Sequence, residues 1–316
     1  MNAPMKLTEL VAKKMWIILR FTLLLGLSFV ILYPLIYMIS VSIRDPGDMY
    51  DPSIVWIPRN LTLENFADSI RCMDYGNAFL SSLLIGGVSS VFQIISCSLT
   101  AYGFARFKFK GRGFMFAMVI LTILVPTQVI ILPMYLMFQN LSIPFVGEAL
   151  RVFMDISLPS VNLLDNPLMF YLQAAFGMGI RSGLYIFLLR QFYRGLPLEL
   201  EEAAEIDGCN PLATFIRIII PNSGTMLLTV SLFSLVWYWN DYYSTGIFLN
   251  ENKTLAIALT GLRTELAADS GVVVNIFEST TQMQAGCILF MLPILIIYLI
   301  AQKYFTEGIE RSGLVG

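Results

Sequence analysis

Three stretches of this sequence gather side chains capable of specific chemistry. The densest runs from Gly195 to Pro221, where Glu199, Glu201, Glu202 and Asp207 sit among Ala203, Ala204 and Gly208. Carboxylates beside small residues at a bend make a surface that another protein can grip at close range. The second runs from Trp237 to Tyr243, with Trp239, Asn240 and Asp241 at its centre. Aromatic faces next to amide and carboxylate groups suit a sugar, whose C–H faces stack while its hydroxyls find polar partners. The third is a lone cation, Arg181, inside the otherwise uncharged run Asn166 to Leu189. Equally informative is what is missing. There is no histidine, which removes His acid/base catalysis, His metal ligands and Ser-His or Cys-His nucleophile pairs. The four cysteines, Cys72, Cys97, Cys209 and Cys287, are scattered without a CxxC pair and read as small buried hydrophobes.

These residues must be positioned in a bilayer. Apolar residues make up 57% of the chain against 13% charged, and the mean hydropathy is +0.72. Soluble domains carry roughly 25% charge, so the expected fold class is an all-α polytopic membrane protein. The 20 Lys and Arg nearly balance the 22 Asp and Glu. No basic excess is left for nucleic acid. Runs of about 20 apolar residues predict six spans, at approximately 17–43, 79–101, 114–138, 168–190, 222–247 and 282–302. The last two-thirds of the list includes two interrupted runs, the fourth by Arg181 and the fifth by Asp241. Outer loops are expected at 44–78, 139–167 and 248–281, with a short amphipathic helix or an irregular loop at Val146, Leu150, Phe153 and Met154. With the N-terminus inside, thirteen Lys and Arg fall in the cytoplasm and six outside, leaving Arg181 in the membrane. That split puts both termini in the cytoplasm, and the loop holding Arg106, Lys108, Lys110 and Arg112 decides it most firmly.

The 195–221 connection is therefore cytoplasmic, and its residues predict two short helices. Pro197 suits a first turn, Glu199, Glu201 and Glu202 favour its positive end, and Ala203 and Ala204 propagate it. Gly208 ends that helix and Asn210-Pro211 opens the next. Leu212, Phe215, Ile216, Ile219 and Ile220 give the second helix an apolar face, and Pro221 breaks it before the fifth span.

Glu202-Ala203-Ala204, then Gly208 after three residues, then Ile218-Ile219-Ile220-Pro221 after nine more, resemble the EAA signature of permease subunits in ATP-binding-cassette importers. That signature ends I-x-L-P; Ile220 replaces the Leu, a volume-conserving change. Further stretches resemble the carbohydrate-uptake branch, of the maltose and multiple-sugar type: Trp56 to Phe66, Ala101 to Arg112, Val125 to Tyr135, Arg190 to Pro197, and Trp239-Asn240-Asp241. The likeness spans roughly residues 50 to 316.

The resemblance implies a fold and a way of working. The helix bearing Glu202, Ala203, Ala204, Asp207 and Gly208, closed by Pro221, is expected to be the coupling helix seated in a cleft of an ATPase, with Glu202 paired to a basic residue there. The ATPase, with its ATP and Mg, belongs to a partner chain, since no G-x-x-x-x-G-K-[ST] loop occurs here; this chain is expected to bind no cofactor and to be no enzyme. A second permease chain completes the path, a soluble sugar-binding protein feeds it from outside, and a bacterial inner membrane houses it. The loop Leu249 to Thr281, with Gly261, Gly271, Asn275 and Thr280, matches in position one that reaches into the docked binding protein, and the tail Thr306 to Gly316 is placed to touch the ATPase pair. Two readings remain for Trp239, Asn240 and Asp241: pathway lining, or an aromatic belt with a partly wetted carboxylate. For Arg181 they are an anionic sugar such as a uronate, a group on the second permease, or helix C-terminal carbonyls. The rival classes are an importer of a non-sugar solute and an ion-coupled secondary transporter; the second lacks the mid-depth carboxylates such proteins use.

Overall fold

The computed structural model describes residues 7–140, 161–251, 253–271 and 276–313. The expected outer helix at Val146, Leu150, Phe153 and Met154, and Asn275, lie outside these residues. Thirteen helices are found among the described residues: α1 (Leu7–Ser42), α2 (Glu64–Cys72), α3 (Tyr75–Arg106), α4 (Arg112–Leu124), α5 (Thr127–Gln139), α6 (Leu168–Ala175), α7 (Ser182–Gly195), α8 (Glu199–Ile206), α9 (Pro211–Asn222), α10 (Gly224–Trp239), α11 (Tyr243–Phe248), α12 (Leu255–Ser270) and α13 (Ile276–Gly313). The chain divides into two units, Met1–Cys72 with Leu262–Leu289 and Met73–Gly261 with Phe290–Gly316.

The larger unit is organised around α3. Its buried positions Ala78, Ser82, Ile85, Gly86, Ser89, Ser90, Gln93, Cys97, Ala101 and Ala105 recur every three or four residues. Small side chains at that period let helices approach closely where lipid offers no hydrophobic push between them. Helices α6, α7 and α10 pack onto this face. Between α4 and α7 the approach depends on Gly183, where an added Cβ would run into Thr122 Oγ1 and come within 3.0 Å of the Val119 carbonyl.

Three helices are long and apolar enough to cross a membrane, through Lys13–Ser42, Tyr75–Arg106 and Ser279–Lys303. Two bent pairs satisfy the same test together, so the described residues hold three to five candidate spans. The run expected at 114–138 is one such pair: α4 and α5 meet at 103°, because Pro126 forces Val125 into extended backbone. The other, α9 with α10, meets at 83°. The run expected at 168–190 is two helices. Gly177 stops α6 in the left-handed region (φ 70°), with its own N–H on the Ala174 carbonyl and that of Met178 on the Gln173 carbonyl at 2.7 Å. That is a Schellman stop. The backbone then runs irregularly to Arg181.

Irregular backbone packed into an apolar bundle needs internal partners, and α3 supplies them. The Gln93 amide nitrogen donates to the Ile180 carbonyl at 2.6 Å and to Ser182 Oγ at 2.8 Å, while its oxygen accepts from the Ser234 hydroxyl at 2.6 Å. Ser96 donates to the Ala174 carbonyl at 2.6 Å.

In the smaller unit the connection after α1 folds around two buried charged residues. The Arg44 guanidinium donates to the Ile54 and Val55 carbonyls, each at 3.0 Å. Asp48 accepts from the backbone N–H groups of Arg59 and Asn60, each at 3.0 Å, and from the Asn60 amide. Asn65 donates to the Ser42 and Arg44 carbonyls and accepts from the Thr281 hydroxyl at 2.9 Å. Above them, α1 leaves its side chains from Lys13 to Leu35 exposed, apart from ring contacts of Phe29 and Tyr33 with Trp56. The region expected as an outer loop from Leu249 to Thr281 holds a four-turn helix, α12, with Leu255, Leu262 and Leu266 buried.

Replacing Gln93 by Leu orphans the Ile180 carbonyl and should cost about 1–3 kcal/mol, read as a lower thermal unfolding midpoint of the purified protein in detergent. Asp48 yields a pH effect. The Asn60 N–H first, then the Arg59 N–H, the Asn60 amide and the Arg44 charge hold its carboxyl below the ordinary value. A depressed folded pKa stabilises fully above the unfolded value of about 3.9 and is lost as pH falls through the lower folded one. The fluorine resonance of Trp56 in fluorotryptophan-labelled protein, assigned by its loss in Trp56→Phe, should therefore hold steady from pH 7 to 5 and shift below about pH 4. In Asp48→Asn that step should vanish.

Candidate functional site

The 195–221 connection folds as its residues dictate. Glu199, Glu201 and Glu202 fill the first turn of α8, where the N-terminal dipole favours anions. Its stop is a second Schellman motif: Gly208 at φ 82° donates to the Glu205 carbonyl at 3.0 Å and Cys209 to the Ala204 carbonyl at 2.9 Å. Asn210 then caps α9, its side chain accepting from the Ala213 N–H at 2.8 Å, with Pro211 in the first turn. Pro221 offers no N–H and crowds the carbonyl four residues back. The helix adapts by widening to a π-helical turn over Phe215–Ile219. Asn222 and Ser223 side chains take up the Ile218 and Ile219 carbonyls, so the helix ends at Asn222, one residue beyond Pro221. Of the expected apolar face, Phe215 and Ile219 are buried, but Leu212 and Ile216 are exposed.

What α8 presents is decided by its rotation. Ala204 is buried, and Glu201 turns inward to an ion pair with Arg106 and accepts from the Tyr102 hydroxyl at 3.0 Å. Arg106 also donates to the Leu196 carbonyl at 2.9 Å. The opposite side shows Glu202, Ala203, Ile206, Asp207 and Gly208 to solvent. Ile206 is 87% exposed.

The expected pathway residues separate. Trp239 is buried; its indole N–H donates to the Phe290 carbonyl at 3.1 Å and its ring lies edge-on to Phe79. Asp241 caps α11, its carboxylate accepting from the Ser244 and Thr245 N–H groups at 3.0 and 3.2 Å. Both are thus tied into the packing of this chain, Trp239 through Phe290 and Asp241 through α11. Asn240 is exposed, with its amide bonded back to the Val236 carbonyl at 2.8 Å. Arg181 is exposed too. It starts α7 at φ 61°, and its guanidinium lies 4.4 Å over the centre of the Trp237 ring.

Residues 93–311 match the family described as the binding-protein-dependent transport system inner membrane component. The chain belongs to that family. It is similar over most of its length to named permeases. One is the melibiose/raffinose/stachyose import permease of Bacillus subtilis, 29% identical over 90% of this chain and 91% of the relative. Another is the arabinooligosaccharides transport system permease of Halalkalibacterium halodurans, 26% identical over 92% and 93%. Among solved structures, a chain of a bacterial ABC transporter involved in import of the acidic polysaccharide alginate superposes with a TM-score of 0.73, covering 96% of this chain and 100% of that one at 19% identity. The fold is thus that of an importer permease, and the chain is a membrane transport subunit.

Two features of this permease escape a reading of the sequence alone. Glu201 stands next to the signature glutamate and looks equivalent to it, yet it is the one that fastens α8; the signal was Tyr102 and Arg106, one turn apart at the end of a span. Trp237, not Trp239, meets Arg181, because 237 falls on the exposed side of α10 and 239 on the packed one.

Removing one partner of a buried ion pair strands the other, so Glu201→Gln and Arg106→Ala should each cost about 3 kcal/mol, with the double variant well short of the sum. Glu202→Gln, one residue away but solvent-facing, should stay within about 0.5 kcal/mol. Thermal denaturation of the four purified proteins checks both statements.

Proposed function

We propose that this permease is one of two membrane subunits of an importer that moves a carbohydrate inward, powered by ATP and Mg on a separate ATPase dimer and supplied by an extracytoplasmic binding protein. The observation behind the coupling role is the exposed ridge of Glu202, Ala203, Ile206, Asp207 and Gly208. It stands on a helix stopped sharply at Gly208 and fastened from behind by Arg106 and Glu201. A small residue flanked by a carboxylate and a bare isoleucine suits insertion into a cleft with a basic rim. Pro221, at the far end of the motif, sets the widened turn that hands α9 over to α10. The carbohydrate reading is supported by the relatives whose names specify oligosaccharide import and which match along nearly the full chain. Six spans with both termini cytoplasmic agree with the positive charges gathered at Arg106 to Arg112.

The test is recovery of the assembly from the host through a tag on this chain, with mass spectrometry of what stays bound. Wild type should retain an ATP-binding-cassette ATPase and a second membrane subunit. Glu202→Lys should retain the second membrane subunit and lose at least about nine-tenths of the ATPase, a tenfold change matching about 1.4 kcal/mol. Undiminished ATPase recovery with the charge reversed would remove the coupling role from this helix.

A further inference from the structure

We propose that Arg181 and Trp237 form a binding point for a carboxylate-bearing saccharide unit, a uronate, on the solute path of this permease. The inference rests on the carbohydrate reading above and narrows it to a chemical class.

Helix α7 is continuous from Ser182 to Gly195, so Arg181 lies nine residues before Arg190, about 13 Å along the axis. Arg190 itself is settled: its Nε donates to the Phe104 carbonyl at 3.2 Å and its guanidinium stacks over Phe116 at 3.8 Å. Arg181 therefore stands well inside the hydrocarbon region, where a charge costs about 2.5–3.5 kcal/mol on insertion scales. Among the described residues it has no carboxylate within ion-pair distance. Asp241, the acid nearest in the expected pathway set, is already committed to two backbone N–H groups. A cation at that depth with an exposed side chain does not face lipid; it faces water, a solute or the second membrane chain. Its backbone is strained as well, since an arginine at φ 61° occupies a region that favours glycine, and such strain gathers at ligand sites.

What surrounds it defines the ligand. Trp237 is 41% exposed, and its ring holds the guanidinium 4.4 Å over its centre, a stacking contact that uses the face of the fork and not its N–H donors. A planar fork with paired donors matches a carboxylate bidentately. One turn before Trp237, Phe233 is also exposed, and Asn240 follows three residues after it, so the same side of α10 offers a second ring and an amide. Aromatic rings for C–H faces, an amide for hydroxyls and a guanidinium for a carboxylate are together the groups a uronate needs. The Gln93 bonds to Ile180 and Ser182 hold the break rigid behind the cation.

The test uses the assembled transporter in lipid nanodiscs, with equilibrium binding of trigalacturonate and of the matching neutral galactose trimer. Wild type should bind the charged trimer at least about tenfold tighter, and Arg181→Gln should bring the two within about twofold, the loss of one charge-assisted hydrogen-bonding group. Arg181→Lys should restore part of the preference, and Trp237→Leu should weaken both ligands while lowering the preference. Neutral binding unchanged by Arg181→Gln serves as the control for folding. Equal binding of both trimers by wild type, or a preference that survives Arg181→Gln, overturns the inference and leaves the carbohydrate reading standing, with Arg181 then serving the second membrane chain. Binding of neither trimer by wild type likewise overturns the inference, while the carbohydrate reading stands or falls with the ligand of the recovered binding protein.

Discussion

The structure depends on one constraint: a helix that breaks inside a membrane must have every freed backbone group met by protein. In water the irregular stretch between Gly177 and Arg181 would be hydrated at little cost; in hydrocarbon each unpaired carbonyl costs several kcal/mol. Gln93 answers that constraint with a single side chain, donating twice to the broken segment and accepting from Ser234 on α10. Three helices are thereby locked in register around one amide. The serines at 89, 90 and 234 and the tyrosine hydroxyl at 238, which accepts from the Ile180 N–H at 3.4 Å, then make sense as the polar lining of that joint in an otherwise apolar bundle.

The same helix carries the attachment of the cytoplasmic connection. Tyr102 and Arg106 hold Glu201 at one end of α3, and Gln93 holds the break about three turns up the same rod, with the Ser98 and Tyr193 hydroxyls bonded between them. A helix transmits displacement along its axis far better than a loop does. Any movement of α8 must therefore either take the end of α3 with it or separate a buried ion pair. This is a mechanical link built from side chains outside the EAA signature, whose Glu202, Ala203 and Gly208 face the other way while its Ala204 packs inward.

How much of this was legible depended on whether the signal was local. The Schellman stop at Gly208, the Asn210 cap and the break near Pro221 follow from residue types within a few positions, and they stand where the chemistry puts them. The membrane character followed from charge content in the same way. Tertiary geometry was less accessible. Pro126 and Gly177 were present in the sequence, but mean hydropathy over a window averages across a bend, so 114–138 and 168–190 read as continuous runs. Trp239 and Asp241 show another limit. Their types suit a sugar equally well whether they face a path or a neighbour, and their packing against Phe79 and Phe290 and the capping of α11 could not be read from residue type. Composition likewise gave no warning that 249–281 contains a helix, since α12 mixes Leu and Ala with Arg263, Glu265 and Asp269.

Exposure, which is weak evidence on a soluble protein, becomes informative here because the solvent differs from face to face. Isoleucine on the bilayer side of α1 is at home in lipid, and its exposure says nothing. Ile206 is bare beside Glu202, and Arg181 stands exposed over Trp237. On the proposed topology each is placed in the medium that opposes its chemistry, one at the cytoplasmic face and one within the membrane. Both mismatches are relieved by the same circumstance: a neighbour that this chain alone does not supply, apolar and basic at the cytoplasmic end, hydrated or anionic within the membrane. The two most ill-placed side chains are thus the two that say most about what the chain must meet.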